Sequence, residues 1–377
     1  MNIRLKYHSS CHGIALVLVM MTVIVLSAIV GSLAISMTTE MRLARNSDYN
    51  DQMEWMGRSG IELARYALAN KCAEQRNIDA LNQFWAGGQS PCSNDVENVP
   101  LKNVPLGPGH ISVSITDMER KWDINLVANP RQPQKEILQK ALVEVGVTDA
   151  EQSSTIIDSI LDWINPNESA GFSGAKSDYY MHLNPPYFCK NGQIDDISEL
   201  LLIKGVTPEI YWGSNSTNHP VSAYQQHGSG AFNQPTPSRS GAGFRDSDQP
   251  QYPVGLVELF GAMGGKLNVN TASIKTLQLI PGLDEAAAAR ILQGRTGPDG
   301  QDGTDDDIPL QNPGQMSEFL GQGVQTASLA NYVDVRSYVF DVTVEAEING
   351  YKKTFHGIVS RGGGGGQQIS CVKFYWE

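Results

Sequence analysis

Ile14–Met37 reads IALVLVMMTVIVLSAIVGSLAISM, 24 residues without a charge. At ~1.5 Å of rise per residue, a helix of this length crosses the apolar core of a bilayer. A short leader precedes it, carrying Arg4 and Lys6 and ending in Gly13. Cations immediately before a span stay on the cytoplasmic side, so the rest of the chain is expected outside.

Three readings of residues 1–37 compete. A secretory signal would be cut after small residues, here Ser32-Leu33-Ala34, but its apolar region runs only ~7 to 15 residues. A plain signal anchor would stay uncut. The third reading is a short basic leader that ends in Gly and is cut at the cytoplasmic face before the apolar stretch, as in type IV prepilins. The sequence beyond the span favours this third reading. No proline appears before Pro91, and Met41, Ala44, Trp55, Met56, Ile61, Leu63, Ala64, Ala67 and Leu68 recur at helical spacing. Arg42, Arg45, Asp48, Asp51, Glu54 and Arg58 fill the solvated side. The pattern suits a separate surface helix or the continuation of the membrane helix; a single helix of about 55 residues would be roughly 80 Å long.

The remaining chain has enough apolar content, 41%, for a real core of one large or two intimately joined units. The net charge is -12, and removing the leader leaves 26 basic against 40 acidic residues, or -14. That sign disfavours a phosphate-backbone binder, so no nucleic-acid partner is expected. Cys72, Cys92, Cys189 and Cys371 form no CxxC pair. An oxidising compartment allows three pairings, of which Cys72–Cys92 closes the shortest loop.

In chain order, residues 71–109 hold four prolines and read mostly as loop. HISVSITDMERK, residues 110–121, alternates as a half-buried strand. From about Asp123 to Leu329 short helices alternate with loops: Gln134–Val145, Ala150–Ile164 and Ile194–Ile203 are candidates, and Gly213–Pro253 reads as a polar surface excursion. Asp123–Asn129 and Leu267–Ala272 each lead into a helical pair, the second turning at Pro281-Gly282. A shorter echo, Leu200–Ile210, turns at Gly205. These resemble helix-hairpin-helix units. Arg336–Ile348, a turn at Asn349-Gly350, Tyr351–Val359 and Ile369–Trp376 read as strands. The expected class is α+β: a pilin-like long N-terminal helix and antiparallel sheet with a large inserted helical domain. The divisions are leader 1–13, transmembrane half-helix 14–37, head 38–122, insert 123–330 and returning head strands 331–377.

The sharpest local motif is GPDGQDGTDDDI, Gly297–Ile308, which gathers Asp299, Asp302, Asp305, Asp306 and Asp307. Calcium takes six to eight oxygens, and flexible acidic loops supply them. The loop lacks EF-hand spacing, and a solvated acidic turn is the competing reading. The hairpin echoes suggest phosphate contacts, yet Asp284-Glu285 put acids where a phosphate would sit. No histidine joins a catalytic motif, and Asp158 and Asp162, four apart, read as a solvated edge or helix-terminal contact. No enzyme is expected.

The Gly13-Ile14 junction, MRLARN with RSGIELARYAL, LDWINPNES with SDYY and PPY, and DISELLLIKGVTPEIY together resemble the K-type minor pseudopilins of the type II secretion system. The resemblance covers nearly the whole chain. It implies cleavage between Gly13 and Ile14 by prepilin peptidase, methylation of the Ile14 amine, and calcium in the soluble region. It further implies a single pass in the inner membrane with the main domain in the periplasm, and a place among other minor pseudopilins at the pseudopilus tip. There the chain would help initiate fibre assembly and protein export across the outer membrane. Most pilin-like proteins carry Glu at the fifth mature position; here it is Leu18, and the K type resembles an exception. A carboxylate in lipid is tolerated when it pairs with a neighbour's N-terminus, a need that lapses for a subunit with nothing above it. The alternatives are a minor pilin of a type IV pilus, a membrane-anchored DNA-uptake protein and an anchored periplasmic enzyme.

Overall fold

The computed structural model describes residues 12–70, 75, 77–88, 100–213, 252–320, 329–362 and 368–376. The apolar run and the amphipathic stretch form one helix, α1 (His12–Ala69), 58 residues and ~87 Å long. The separate-helix reading is thereby set aside. From Ala15 to Asp48 every residue of α1 is exposed. Beyond that, Met53, Met56, Ile61, Ala64, Ala67 and Leu68 are buried at helical spacing. Two glycines let this second half sit close on a sheet. A Cβ on Gly57 would lie 2.5 Å from the Phe355 ring, and one on Gly60 would lie 2.4 Å from Val344.

The sheet has five antiparallel strands, β1 (Val104–Leu106), β2 (Gly109–Asp117), β7 (Val339–Ile348), β8 (Tyr351–Arg361) and β9 (Ile369–Trp376), in the order β1-β2-β7-β8-β9. Strand β1 and a 3-10 turn at Phe84–Ala86 fall in the stretch expected to be mostly loop. Alternation dictates the buried face: Val342, Val344 and Ala346 of β7 meet Ile111, Val113 and Ile115 of β2 and Phe355 of β8 beneath α1. Asn349 and Gly350 turn the β7–β8 hairpin with φ of 50° and 84°, as Asn-Gly predicts.

Between β2 and β7 lies the inserted region with its own hydrophobic core. In chain order it holds β3 (Trp122–Asp123), α2 (Ile124–Val127), α3 (Lys135–Val145), α4 (Ala150–Ile164), α5 (Ser177–Tyr180), α6 (Pro208–Trp212), α7 (Leu256–Leu259), β4 (Phe260–Gly261), β5 (Leu267–Asn268), α8 (Ile274–Gln278), α9 (Glu285–Arg295), α10 (Met316–Phe319) and β6 (Val333–Asp334). Two-residue parallel bridges, β3 with β4 and β5 with β6, tie its crossings together. The helix expected over Ile194–Ile203 is instead a 3-10 turn, Ile197–Leu202. Asp196 and Glu199 form its capping box, but the chain leaves helical geometry at Ile203 and Gly205 takes φ +89° before α6 begins. The short run fits 3-10 closure.

The ends of the sheet are distinguishable. The Asn349-Gly350 turn lies beside Tyr49, with Asn349 Nδ2 donating to Tyr49 Oη at 3.2 Å. At the opposite end Arg361, closing β8, donates to Leu68 O at 3.4 Å. Asp117, where the chain departs for the insert, pairs across β2–β7 with Phe340 at this same end. The insert is therefore rooted at the end of the sheet farthest from the apolar half of α1. A strap through residues 78–88 joins the two cores: Ile78 is buried in the insert core and Trp85 in the head core, edge-on to Phe340 at 5.2 Å.

Candidate functional site

The first half of α1 is apolar on all sides, and none of it is buried within the protein. Its hydroxyls bond back along the helix: Thr22 to Val19 O at 2.8 Å, Ser32 to Ile29 O at 3.0 Å, Thr39 to Ile35 O at 2.9 Å. Such internal satisfaction is what a low-dielectric surrounding requires. By length and composition α1 is long and apolar enough for one membrane span. Gly13 and Ile14 fall in its first turns, and Leu18 is exposed.

The hairpin echoes share a local device. Gly146, Gly205 and Gly282 all adopt positive φ, and each is followed within three residues by an N-cap: Asp149 for α4, Thr207 for α6 and Asp284 for α9. Asp284 accepts from Ala287 N at 2.7 Å, so the protein's own carboxylate holds the N–H a phosphate would use. The turn carbonyls are also engaged: Lys140 of α3 donates to Ile280 O at 2.9 Å and to Leu283 O at 3.0 Å. This hairpin is a packing unit sealed by charge from within the insert. The Lys140 contact went unread in the sequence, where it looks like any solvated lysine of an amphipathic helix.

Asp158 lies mid-way along α4 and Asp162 in its last turn, and each is engaged by a neighbour within the insert. Asp158 pairs with Lys135 at 3.1 Å, and Asp162 accepts from Gly171 N at 2.9 Å while burial raises its carboxyl. Tyr179, Tyr180 and Tyr187 pack together, Tyr180 also meeting Trp163 edge-on at 5.3 Å. Cys189 is a buried free thiol and Cys371 an exposed one; the Cys72–Cys92 pairing, the leader through residue 11 and residues 214–251 of the polar excursion lie outside the described residues.

In the acidic loop the five carboxylates do not converge. Asp302 forms a bidentate pair with the buried Arg295, 2.8 Å at the closer contact, and Arg295 reaches on to Val269 O. Asp299 accepts from Gln301 N at 2.8 Å, Asp306 from Thr304 Oγ1 at 2.7 Å and from Asp299 N at 3.2 Å, and Asp307 from Gly303 N at 2.7 Å. Asp305 is exposed and takes no side-chain hydrogen bond among the described residues. The Thr304 hydroxyl lowers Asp306, whereas burial, aided by Asp302 and Asp299, raises Asp307. The all-oxygen donor set suits calcium chemically. The side chains are not gathered as they stand: among the described residues no three His, Cys, Asp or Glu side chains are grouped to hold a metal, and Asp302 is committed to Arg295. Arg295 stands two residues before the motif and is the basic partner the sequence reading missed.

A groove of about 440 Å³ runs along the seam between sheet and insert. Leu126, Met263, Ile358 and Val372 supply apolar wall; Asn129 and Asp123, whose carboxyl burial pushes up to about 6, supply polar wall.

Residues 121–213 match the family model described as type II secretion system protein K. The chain is 27% identical over 203 residues to the putative type II secretion system protein K of Escherichia coli K12, an alignment covering 53% of this chain and 59% of that relative. It is 22% identical over 211 residues to protein K of Aeromonas hydrophila, covering 53% and 60%. The chain thus aligns with about three-fifths of the length of the curated relatives it matches. Its fold is similar to that of a chain in the crystal structure of the GspK-GspI-GspJ complex of the enterotoxigenic Escherichia coli type 2 secretion system, with TM-score 0.57 and 18% identity, covering 89% of this chain and 99% of that one. The α+β pilin-like class and the K-type resemblance read from the sequence are borne out.

Proposed function

We propose that this chain is a minor pseudopilin of the K type, seated at the tip of the type II secretion pseudopilus, where it helps start fibre assembly and protein export. The observation that carries the proposal is the placement of the insert. The exposed apolar half of α1 provides the membrane and fibre element, the sheet rides on its second half, and the insert is rooted at the far end of that sheet. A subunit stacked above would meet the insert where an ordinary pilin offers an open top. The family match over residues 121–213 lies within this insert, which supports its being the K-type feature.

The finer elements of the proposal follow. The leader is cut between Gly13 and Ile14 by prepilin peptidase, and the Ile14 amine is methylated. The mature helix waits in the inner membrane with the main domain in the periplasm, in contact with lipid through residues 14–37. Leu18 places no acid in that lipid. Other minor pseudopilins are the partners, a reading supported by the three-protein complex in which the similar fold occurs. The role is structural rather than catalytic. Calcium is proposed to settle the acidic loop through Asp299, Asp305, Asp306 and Asp307. Burial first, then the neighbouring Asp302 and Asp299 charges, raise Asp307, which a cation would relieve, and binding would require these side chains to turn from Thr304 and the loop N–H groups.

Mass spectrometry of the mature protein tests the processing: a methylated Ile14 terminus is expected, and an intact Met1 terminus overturns it. Co-purification from membranes tests the partners. Recovery with other minor pseudopilins of the same system is expected, and a chain recovered alone, or with nucleic acid, counts against the assembly reading.

A further inference from the structure

Two residues beyond β2, where the chain leaves the sheet for the insert, Glu119 is buried in a cluster that also holds Asp79, Asp117 and Arg361. These residues come from the strap, the end of β2 and the end of β8, and β5 and the link into β7 contribute Asn268, Thr271, Ser337 and Tyr338. The donors are shared unequally. Asp79 forms an ion pair with Arg361 at 2.8 Å and accepts from Ser337 N at 3.0 Å. Asp117 accepts from Glu119 N at 2.8 Å, Ser337 Oγ at 2.6 Å, Asn268 Nδ2 at 3.2 Å and Thr271 Oγ1. Glu119 has Tyr338 N alone, at 3.2 Å, among the described residues. The one guanidinium in the cluster among the described residues, Arg361, is committed to Asp79, so the cluster holds more carboxylates than it can keep ionised.

Other charges near Glu119 do not relieve it. Asp334 and Asp123 add negative charge or lie against the same glycines. Lys121 donates to Val257 O at 2.8 Å, Lys266 to Ala330 O at 2.6 Å, and the Arg336 guanidinium lies over the Tyr338 ring. The Glu119 carboxyl rests against Gly264 and Gly265; a Cβ at Gly265 would stand 3.0 Å from Oε1. Gly264 borders the seam groove.

We propose that the seam is a proton-dependent latch: protonated Glu119 closes the inserted domain onto the sheet, and its ionisation loosens the contact with Tyr338 and Gly264-Gly265. An ionised Glu119 would face Asp117 with one donor and no cation, and water entering along the groove is the readiest relief. Burial first, then Asp117, raise this carboxyl to about 8, with Asp79 and Asp334 adding to the rise and the Tyr338 N–H opposing it. The closed form therefore holds a proton that the open or unfolded form releases above about 4.5. Between these values closure weakens as pH rises, by up to about tenfold in the open population per pH unit.

The test uses the full chain in lipid nanodiscs. Hydrogen exchange at Tyr338 and Gly264–Lys266, corrected for intrinsic base catalysis, is expected to show opening that rises about tenfold per unit from pH 6 to pH 8. In Glu119→Gln, which keeps shape and acceptor while removing the charge, opening should rise with pH less steeply by the share of this one proton. The infrared difference between the native chain and Glu119→Gln should show a protonated carboxyl C=O band at pH 6 that fades above pH 8. Flat opening in the native chain, an unchanged slope in the variant, or no such band at pH 6 each overturns the latch. Should Glu119→Gln fail to fold, the native chain's exchange slope decides alone.

Discussion

Asp299, Asp302, Asp305, Asp306 and Asp307 crowd one exposed loop, whereas Asp117, Glu119 and Asp123, equally close in sequence, are folded into the seam, where Asp79 joins them from the strap. The crowded loop looks the more strained in sequence, yet there backbone N–H groups, Thr304, Arg295 and solvent answer the charges one by one. At the seam, burial removes the solvent and leaves one guanidinium among the described residues, and it raises the carboxyls of Asp117, of Glu119 to about 8 and of Asp123 to about 6. Desolvation, rather than closeness in sequence, decides which acid holds a proton.

The sharpest way to break this contrast is to remove the seam's cation. Arg361→Leu takes the guanidinium from the buried Asp79 and is expected to cost about 3–5 kcal/mol in denaturant unfolding. A cost below 1 kcal/mol would mean the seam is wetter than the structure has it. Calcium probes the other side. At a hundredfold its dissociation constant it should stabilise the native chain by about 2.7 kcal/mol, and Asp306→Asn with Asp307→Asn should abolish the gain. No shift in the native chain would remove calcium from the account. Arg295→Leu strands Asp302, which can turn to water, and Val269 O, which cannot; about 1–3 kcal/mol is expected. A loss as large as that for Arg361→Leu would erase the distinction between loop and seam. Least affected should be Asp305→Asn, within about 0.5 kcal/mol without calcium, as read by thermal unfolding.

The parts of the fold that were legible in the sequence are those set by local pattern. The charge-free run and the helical spacing beyond it predicted both halves of α1 and left their continuity open, the apolar spacing of Ala150–Ile164 predicted α4, and Asn349-Gly350 predicted the hairpin. The Ile197–Leu202 turn misled because its capping box announces a helix while the chain it opens is too short to sustain one. The acidic loop was legible as a motif but not as a geometry, since Arg295 anchors Asp302 through a fold-dependent approach. The seam was not legible at all: its partners stand as far apart as Asp79 and Arg361, and no periodicity links them. Lys140, likewise, acquires its role only when the α8–α9 turn is brought against α3.

The central claim is that the insert crowns a tip subunit. Locating the chain in assembled fibres, through a small tag placed at the fully exposed Phe172 of the insert, tests it most directly. The account predicts label at one end of each fibre. Label repeating along the shaft would contradict it.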